Sequence, residues 1–297
     1  MRILLTGATG FIGSAVLKTA ARQGHDVAAL VRPGRVSAVA SISGVRPLAG
    51  TLADPPWKEI AAFKAEVCIH AAWITTPGIY LESPENDRWA AWSESFITKA
   101  VATGVRRVIA LGTCIEYEMT GGVLSEETTP LVPASKYARS KDRLRQWLDQ
   151  AAGKAGYSHG WGRIFYPYGP GEHPARLCSS AIRQIRSGAP WVIQHPKSVK
   201  DYIFIEDLAE AILVLAASDA CGAINLGTGA GVSIGEIARM IADLLGRPEL
   251  VREARSPAPD PFRFVVADVR RLQALGWQPR VTLVEGLRKL IQHQPTP

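Results

Sequence analysis

The chain has 297 residues, 47% of them apolar, and a formal net charge of +7. That apolar share is ample for the buried core of one large or two modest domains. The longest apolar run, 211–217, is too short to cross a bilayer, and the scattered cations form neither a basic tail nor a reading helix, which argues against membrane insertion and nucleic acid. The excess positive charge suits small anionic ligands, and plain solubility explains it equally well. Four widely spaced cysteines without a C-x-x-C pair, six histidines without ligand spacing, and a strand beginning at residue 2 lead us to expect a reducing cytoplasmic setting, no structural metal and no leader.

Arg2-Ile3-Leu4-Leu5-Thr6 predicts a first strand, and Phe11, Ile12, Ala15, Val16 and Ala20 recur at helical spacing up to Gly24. Between them stands Thr6-Gly7-Ala8-Thr9-Gly10-Phe11-Ile12-Gly13, a glycine turn in the strand-to-helix context that a phosphate cradle requires. Gly7 permits the tight turn, Gly10 lets the backbone approach a pyrophosphate, and Gly13 lets helix pack on strand, while the helix N-terminus favours negative charge.

Further strands are expected at Asp26–Val31, Val45–Ala49, Val67–Ala71 and Val108–Gly112, alternating with helical stretches. Such alternation makes a parallel sheet covered by helices, with ligands at the carboxyl ends of the strands. The second strand ends in Leu30-Val31-Arg32-Pro33-Gly34-Arg35. An acidic residue there would meet a ribose 2′-hydroxyl, whereas Arg32 suits a 2′-phosphate, so NADP(H) is expected over NAD(H). Trp89, Trp92, Phe96 and Ala100, and later Leu144, Trp147, Leu148 and Ala151, form apolar stripes on two helical regions.

Gly112-Thr113 closes the fifth strand, and Tyr137-Ala138-Arg139-Ser140-Lys141 follows. Tyr137 and Lys141 are four apart and share one helix face. Of seven tyrosines, only Tyr137 has a lysine four residues on. The ammonium would favour the phenolate and bring the tyrosine from about 10 toward the working range, while Thr113 would offer a hydroxyl to the substrate oxygen. Glycine turn and hydroxyl set together describe a nicotinamide dinucleotide positioned for hydride transfer at an oxygen-bearing carbon. Beyond Tyr166, Pro and Gly rise, which divides the chain into a dinucleotide-binding part, 1–165 and 196–228, and a smaller part, 166–195 and 229–297. Ser233-Ile234-Gly235-Glu236 is a capping box opening a helix that closes at Gly246.

These motifs, with Ile69-His70-Ala71-Ala72, Tyr168-Gly169-Pro170-Gly171, the run from Asp201 to Asp207, Asn225-Leu226-Gly227 and Leu275-Gly276-Trp277-Gln278-Pro279, resemble an extended short-chain dehydrogenase/reductase. That is the family of nucleotide-sugar epimerases, dehydratases and ketoreductases, and the resemblance spans nearly the whole chain. It implies an α/β fold, a Rossmann-type doubly wound parallel sheet with a smaller, discontinuous substrate-binding domain. It also implies cofactor contacts from Gly7, Thr9, Gly10, Phe11, Ile12, Arg32, Leu52, Ala71, Ala72, Tyr137 and Lys141, with Lys141 on the nicotinamide ribose. Catalysis would rest on Thr113, Tyr137 and Lys141, Thr113 lying four residues before Tyr117 as the family's hydroxyl residue lies before its own tyrosine. Substrate contacts would come from Thr113, Tyr166, His173, Arg176, Lys200 and Arg255, and the striped helices would pair in a homodimer. Tyr166 stands where the family has Asn, and Lys200 where many relatives have Arg.

Cys114-Ile115 occupy the places of the Asp-Glu pair of the family's 4,6-dehydratases, which argues against elimination. The resemblance then implies an NADPH-dependent reductase of a 4-keto-6-deoxy nucleotide sugar, with pro-S hydride delivery and Tyr137 as general acid. An epimerase with tightly bound NAD, a reductase of a non-nucleotide carbonyl compound and a non-catalytic NADPH sensor stay open as alternatives.

Overall fold

The computed structural model describes residues 1–254 and 260–294. Seven strands make the central sheet: β1 (Arg2–Thr6), β2 (Asp26–Val31), β3 (Val45–Ala49), β4 (Val67–His70), β5 (Arg107–Thr113), β7 (Ser158–Ile164) and β11 (Gly222–Leu226). They lie in the order β3-β2-β1-β4-β5-β7-β11, all parallel. The order reverses direction between β1 and β4, and in a doubly wound sheet a ligand crevice opens at that point, beyond the carboxyl ends of the strands.

Side chains alternate across these strands, so each serves two cores. Ile3 and Leu5 of β1 join Val16, Leu17 and Ala20 of helix α1 (Phe11–Arg22) and Leu208 and Ile212 of α7 (Ile205–Ala217). Leu4 faces the opposite layer, with Ile60 and Phe63 of α3 (Trp57–Phe63), Phe96 and Ile97 of α4 (Glu85–Ala102), and Leu144 and Leu148 of α5 (Lys136–Ala155). The short helix α2 (Ser37–Ala40) follows β2. The striped helices divide accordingly: Phe96, Ala100, Leu144 and Leu148 are core, whereas Trp89, Trp92, Trp147 and Ala151 are only partly buried against it.

The strand expected at Val67–Ala71 stops at His70, because its pairing with β1 ends at Thr6, where Gly7 turns the chain away. The fifth strand runs one residue further at each end than expected. A second sheet joins β12 (Gly231–Ser233), β10 (Val199–Phe204), β14 (Phe264–Ala267) and β6 (Val123–Leu124), with β8 (Tyr166–Tyr168) also on β10. A parallel pair, β9 (Trp191–Ile193) and β13 (Val251–Glu253), lies apart from it. Helices α6 (Leu177–Arg186), α8 (Ile234–Leu244), α9 (Arg270–Gln273) and α10 (Leu283–His293) complete the described chain. The Ser233–Glu236 capping box starts α8 as the sequence indicates, and Gly246 follows its end with φ of 67°. Asp201 of β10 is fully buried and accepts from the backbone N–H groups of Thr228, Gly229 and Ala267, joining β10 to the chain after β11 and to β14.

Candidate active site

Gly7 has φ of 71°, and a Cβ on it would lie 2.7 Å from the Ala71 carbonyl carbon and the Ala72 nitrogen. Only glycine lets the β1–α1 turn rest on the backbone that follows β4. Gly10 donates its N–H to the Gly7 carbonyl at 2.9 Å, and a Cβ on Gly13 would collide with that same carbonyl oxygen. Gly13 is thus demanded by the turn itself, and not only by helix-on-strand packing. The α1 N-terminus has no side-chain cap and no acidic residue in its first turn, so no side-chain acceptor of its own competes with an anion for its first amides.

Around this turn Thr9 and Gly10 are exposed and Phe11 and Ile12 half-buried. Arg32, just past β2, is exposed and its guanidinium has no acceptor among the described residues. Leu52 is buried beside Leu30 and Leu48. The Thr6 hydroxyl accepts from the Ala72 N–H at 3.2 Å and meets His70 Nδ1 at 3.0 Å, while His70 Nε2 reaches Ser93 Oγ at 2.8 Å. Burial, helped by the Lys141 charge, pushes His70 down to about 3, so the ring is neutral and serves as a brace for Ala71 and Ala72. Bare glycines, open amides and a free cation past β2 fit a dinucleotide at the switch point.

Helix α5 is capped by Ser135, whose hydroxyl accepts the Ala138 N–H at 3.1 Å. Tyr137 and Lys141 lie on its inner face, both buried. Lys141 Nζ donates to the Leu111 carbonyl at 2.8 Å, lies 3.7 Å from the centroid of the Trp73 ring, and is 5.8 Å from that of Tyr137. Trp73 and Tyr80 meet the Tyr137 ring edge-on, with centroids 6.4 and 4.9 Å away. The Tyr137 N–H donates to Leu81 at 2.9 Å, so the start of α5 is tied to the segment carrying Tyr80.

The sequence leads to the expectation that Lys141 lowers the Tyr137 ionisation, and the structure corrects it. Burial pushes the Tyr137 phenol up, Tyr80, Glu116 and Cys114 push the same way, and Arg176 opposes. The ammonium is engaged by the Leu111 carbonyl and the Trp73 face. Lys141 is itself lowered to about 7 by burial, with Glu116 acting against that shift. A phenol that stays protonated can give a proton to a carbonyl oxygen.

Thr113 ends β5 beside this helix, and behind it lies a buried polar group. Glu116 accepts the Thr113 N–H at 2.9 Å, the Trp161 indole N–H at 3.0 Å and Arg163 Nε at 2.8 Å. Arg163 also donates to the Tyr117 hydroxyl, which donates to Asn225 Oδ1 at 2.8 Å, and Asn225 Nδ2 donates to the Leu124 and Asp268 carbonyls. Cys114, next to Thr113, is buried, and its thiol is pushed up to about 12. Neither it nor Ile115 offers acid–base chemistry at neutral pH.

The residues marked for substrate are placed unevenly. Arg176 is half-buried at the N-cap position of α6, and its positive charge opposes the upward push on Tyr80 and Tyr137. The exposed His173 ring accepts the Ala175 N–H at 3.1 Å within its own loop. Tyr166 stacks 5.8 Å from Tyr202, and Lys200, 5.8 Å from the Tyr166 ring, donates to the Phe262 carbonyl and pairs with Asp260 at 3.4 Å. A substrate anion at Lys200 would compete with these partners. Arg255 lies outside the described residues. Trp73, Tyr80 and Glu116 were not singled out from the sequence. Glu116 had a signal, since Thr113-x-x-Glu116 has the same capping-box spacing as Ser233–Glu236.

A glycine cradle at the switch point, opposite a Thr-Tyr-Lys set on β5 and α5, defines a nicotinamide-dinucleotide enzyme of the extended short-chain dehydrogenase/reductase class. The chain belongs to the NAD dependent epimerase/dehydratase family, whose family model matches residues 3–227. It is an NAD-dependent oxidoreductase-type enzyme acting at a CH–OH carbon. It is 27% identical over 310 residues to the UDP-glucose 4-epimerase of Mycolicibacterium smegmatis, covering 98% of each chain. It is 25% identical over 316 residues to the dTDP-6-deoxy-L-talose 4-dehydrogenase (NAD(P)(+)) of Kitasatospora kifunensis, covering 99% of this chain and 96% of that one. Among solved structures, MoeE5 in complex with UDP-glucose and NAD superimposes with a TM-score of 0.80 at 28% identity, over 99% of this chain and 98% of that one. No described helix is long and apolar enough to cross a membrane.

Proposed function

We propose that this protein is an NADPH-preferring reductase of a keto group on a nucleotide-activated 6-deoxy sugar. The observation that carries the reading is the Tyr137 phenol, buried beside Lys141 and the Thr113 strand end; burial favours its protonated form. A bound nicotinamide dinucleotide supplies the hydride. The Gly7–Gly13 turn, with Thr9, Phe11 and Ile12, and the α1 amides hold its pyrophosphate, Leu52, Ala71 and Ala72 line its path, and Arg32 takes a 2′-phosphate. Tyr137 gives its proton to the substrate carbonyl oxygen, and the Thr113 hydroxyl donates the second hydrogen bond to that oxygen. Lys141 keeps its ammonium at the floor of the pocket, where it orients the ribose.

The residues of 166–195 and 229–297 form the substrate side, with Tyr166, His173, Arg176 and Arg255 as contacts, joined by Lys200 from the dinucleotide-binding part. Partly buried Trp89, Trp92 and Trp147 on α4 and α5 support a homodimer through these helices, and four free thiols support a reducing cytoplasmic setting.

The second reading is a 4-epimerase with retained NAD, favoured by the M. smegmatis relative and using the same residues. One panel separates the two. Absorbance at 340 nm is followed with NADPH or NADH and 4-keto-6-deoxy sugars on several nucleotides, and UDP-glucose is assayed in parallel for its C4 epimer with no added reductant. Stoichiometric oxidation of NADPH that Tyr137→Phe slows on the order of a hundredfold supports the reductase. Epimer formation without net oxidation replaces it with the second reading.

A further inference from the structure

We propose that Glu116 is a positioning residue of this active site: through the strand end Leu111-Gly112-Thr113 it fixes the backbone that carries the reactive hydroxyl and provides the counter-charge for Lys141. The three residues are gripped in sequence. The Leu111 carbonyl takes the Lys141 ammonium, and the Thr113 N–H donates to Glu116 Oε1 at 2.9 Å. Between them, a Cβ on Gly112 would lie 2.6 Å from Glu116 Oε1 and would collide with the Trp161 indole nitrogen. Glycine at 112 is therefore required by the carboxylate and indole pressed against it. Glu116 is fully inaccessible, and its oxygens are filled by Thr113, Trp161 and Arg163. A carboxylate in such surroundings is costly unless its charge is paired; burial pushes Glu116 up, and the Arg163 guanidinium on β7 at 2.8 Å opposes that shift.

Among the described residues, Arg163 meets Glu116 and bridges it to the Tyr117 hydroxyl, and the charge of Glu116 bears on the Cys114 thiol; Lys141 lies 5.8 Å from the Tyr137 ring centroid, and its charge bears on the neutral His70 of β4. The Glu116 charge acts to keep the proton on Lys141, so deleting it while keeping the side-chain shape should ease proton loss from the lysine.

The test needs no substrate, so it stands or falls apart from the reductase reading. The full chain is labelled with ¹³C-lysine, the Lys141 Cε resonance is assigned by its loss in Lys141→Met, and its shift is followed against pH. Glu116→Gln retains an oxygen for the Thr113 N–H and is expected to lower the Lys141 midpoint by about one pH unit. A residue that only props the strand would lower the thermal midpoint and leave that titration in place, and this outcome overturns the proposal. Glu116→Gln/Arg163→Lys keeps a cation at 163 on a smaller head, so only the carboxylate charge is removed, and it carries the same comparison if the single variant does not fold. A Lys141 midpoint that again moves down supports the proposal; a midpoint coincident with wild type overturns it.

Discussion

The Lys141 ammonium lies over the face of Trp73, 3.7 Å from the ring centroid, while donating to the Leu111 carbonyl at 2.8 Å. A desolvated cation–π contact of this kind is worth about 2 kcal/mol, less than the cost of burying the charge. Lys141 is accordingly lowered to about 7 from its ordinary value of 10.5.

Its consequence for stability has a definite sign. Between pH 7 and 10.5 the unfolded chain binds the Lys141 proton more tightly than the folded one, so this group makes folding more favourable as pH rises through that window. We expect about 2 kcal/mol of its penalty to be relieved between pH 7 and pH 9. Lys141→Met should be more stable than wild type at pH 7, with the difference shrinking toward pH 9 in urea unfolding. A constant difference across that range contradicts the assignment.

His70 acts on the acid side. Its folded value of about 3 lies below the ordinary 6.5, so the unfolded chain takes up the proton first as pH falls, and stability is lost from 6.5 downward. At pH 5 this amounts to about 2 kcal/mol relative to neutral pH. His70→Gln should lose that share of the acid sensitivity, and equal slopes for the two proteins between pH 7 and 5 would refute the brace role.

The glycine turn gives a paired prediction. Gly13→Ala places a Cβ against the Gly7 carbonyl, where backbone must move; we expect destabilisation by about 1–3 kcal/mol and loss of NADH and NADPH binding by fluorescence titration. Gly153→Ala, in α5 with nothing near the new Cβ, should leave binding intact and raise helix stability by up to about 1 kcal/mol.

Arg32→Ala tests the cofactor preference. Loss of a charge-assisted contact to a 2′-phosphate corresponds to roughly a tenfold or greater fall in the NADPH over NADH affinity ratio. An unchanged ratio by titration with both nucleotides removes the claim.

What was legible in the sequence is local. The glycine turn, the boundaries of β2 and β3 and the shared face of Tyr137 and Lys141 follow from period and spacing within a few residues. The Trp73 and Tyr80 wall was not, since 73–84 has no period and its aromatics acquire meaning only when α5 docks beneath them. The Glu116–Arg163 pair bridges residues 47 apart and depends on β5 lying beside β7, and Lys200 is taken up by a carbonyl 62 residues on. The upward push on Tyr137 is equally non-local, because spacing along a helix says nothing about how deeply a phenol is buried once neighbouring elements close over it.

The Glu116, Arg163, Tyr117 and Asn225 chain runs from the Thr113 backbone to the Leu124 and Asp268 carbonyls, so it spans both sheets. Any single replacement within it strands a charge or a donor in the interior, which blocks gradual drift at these positions. Divergence among descendants of this chain should therefore come here in concerted exchanges, with the glutamate, the arginine and the indole changing together, while the loops around them vary one residue at a time.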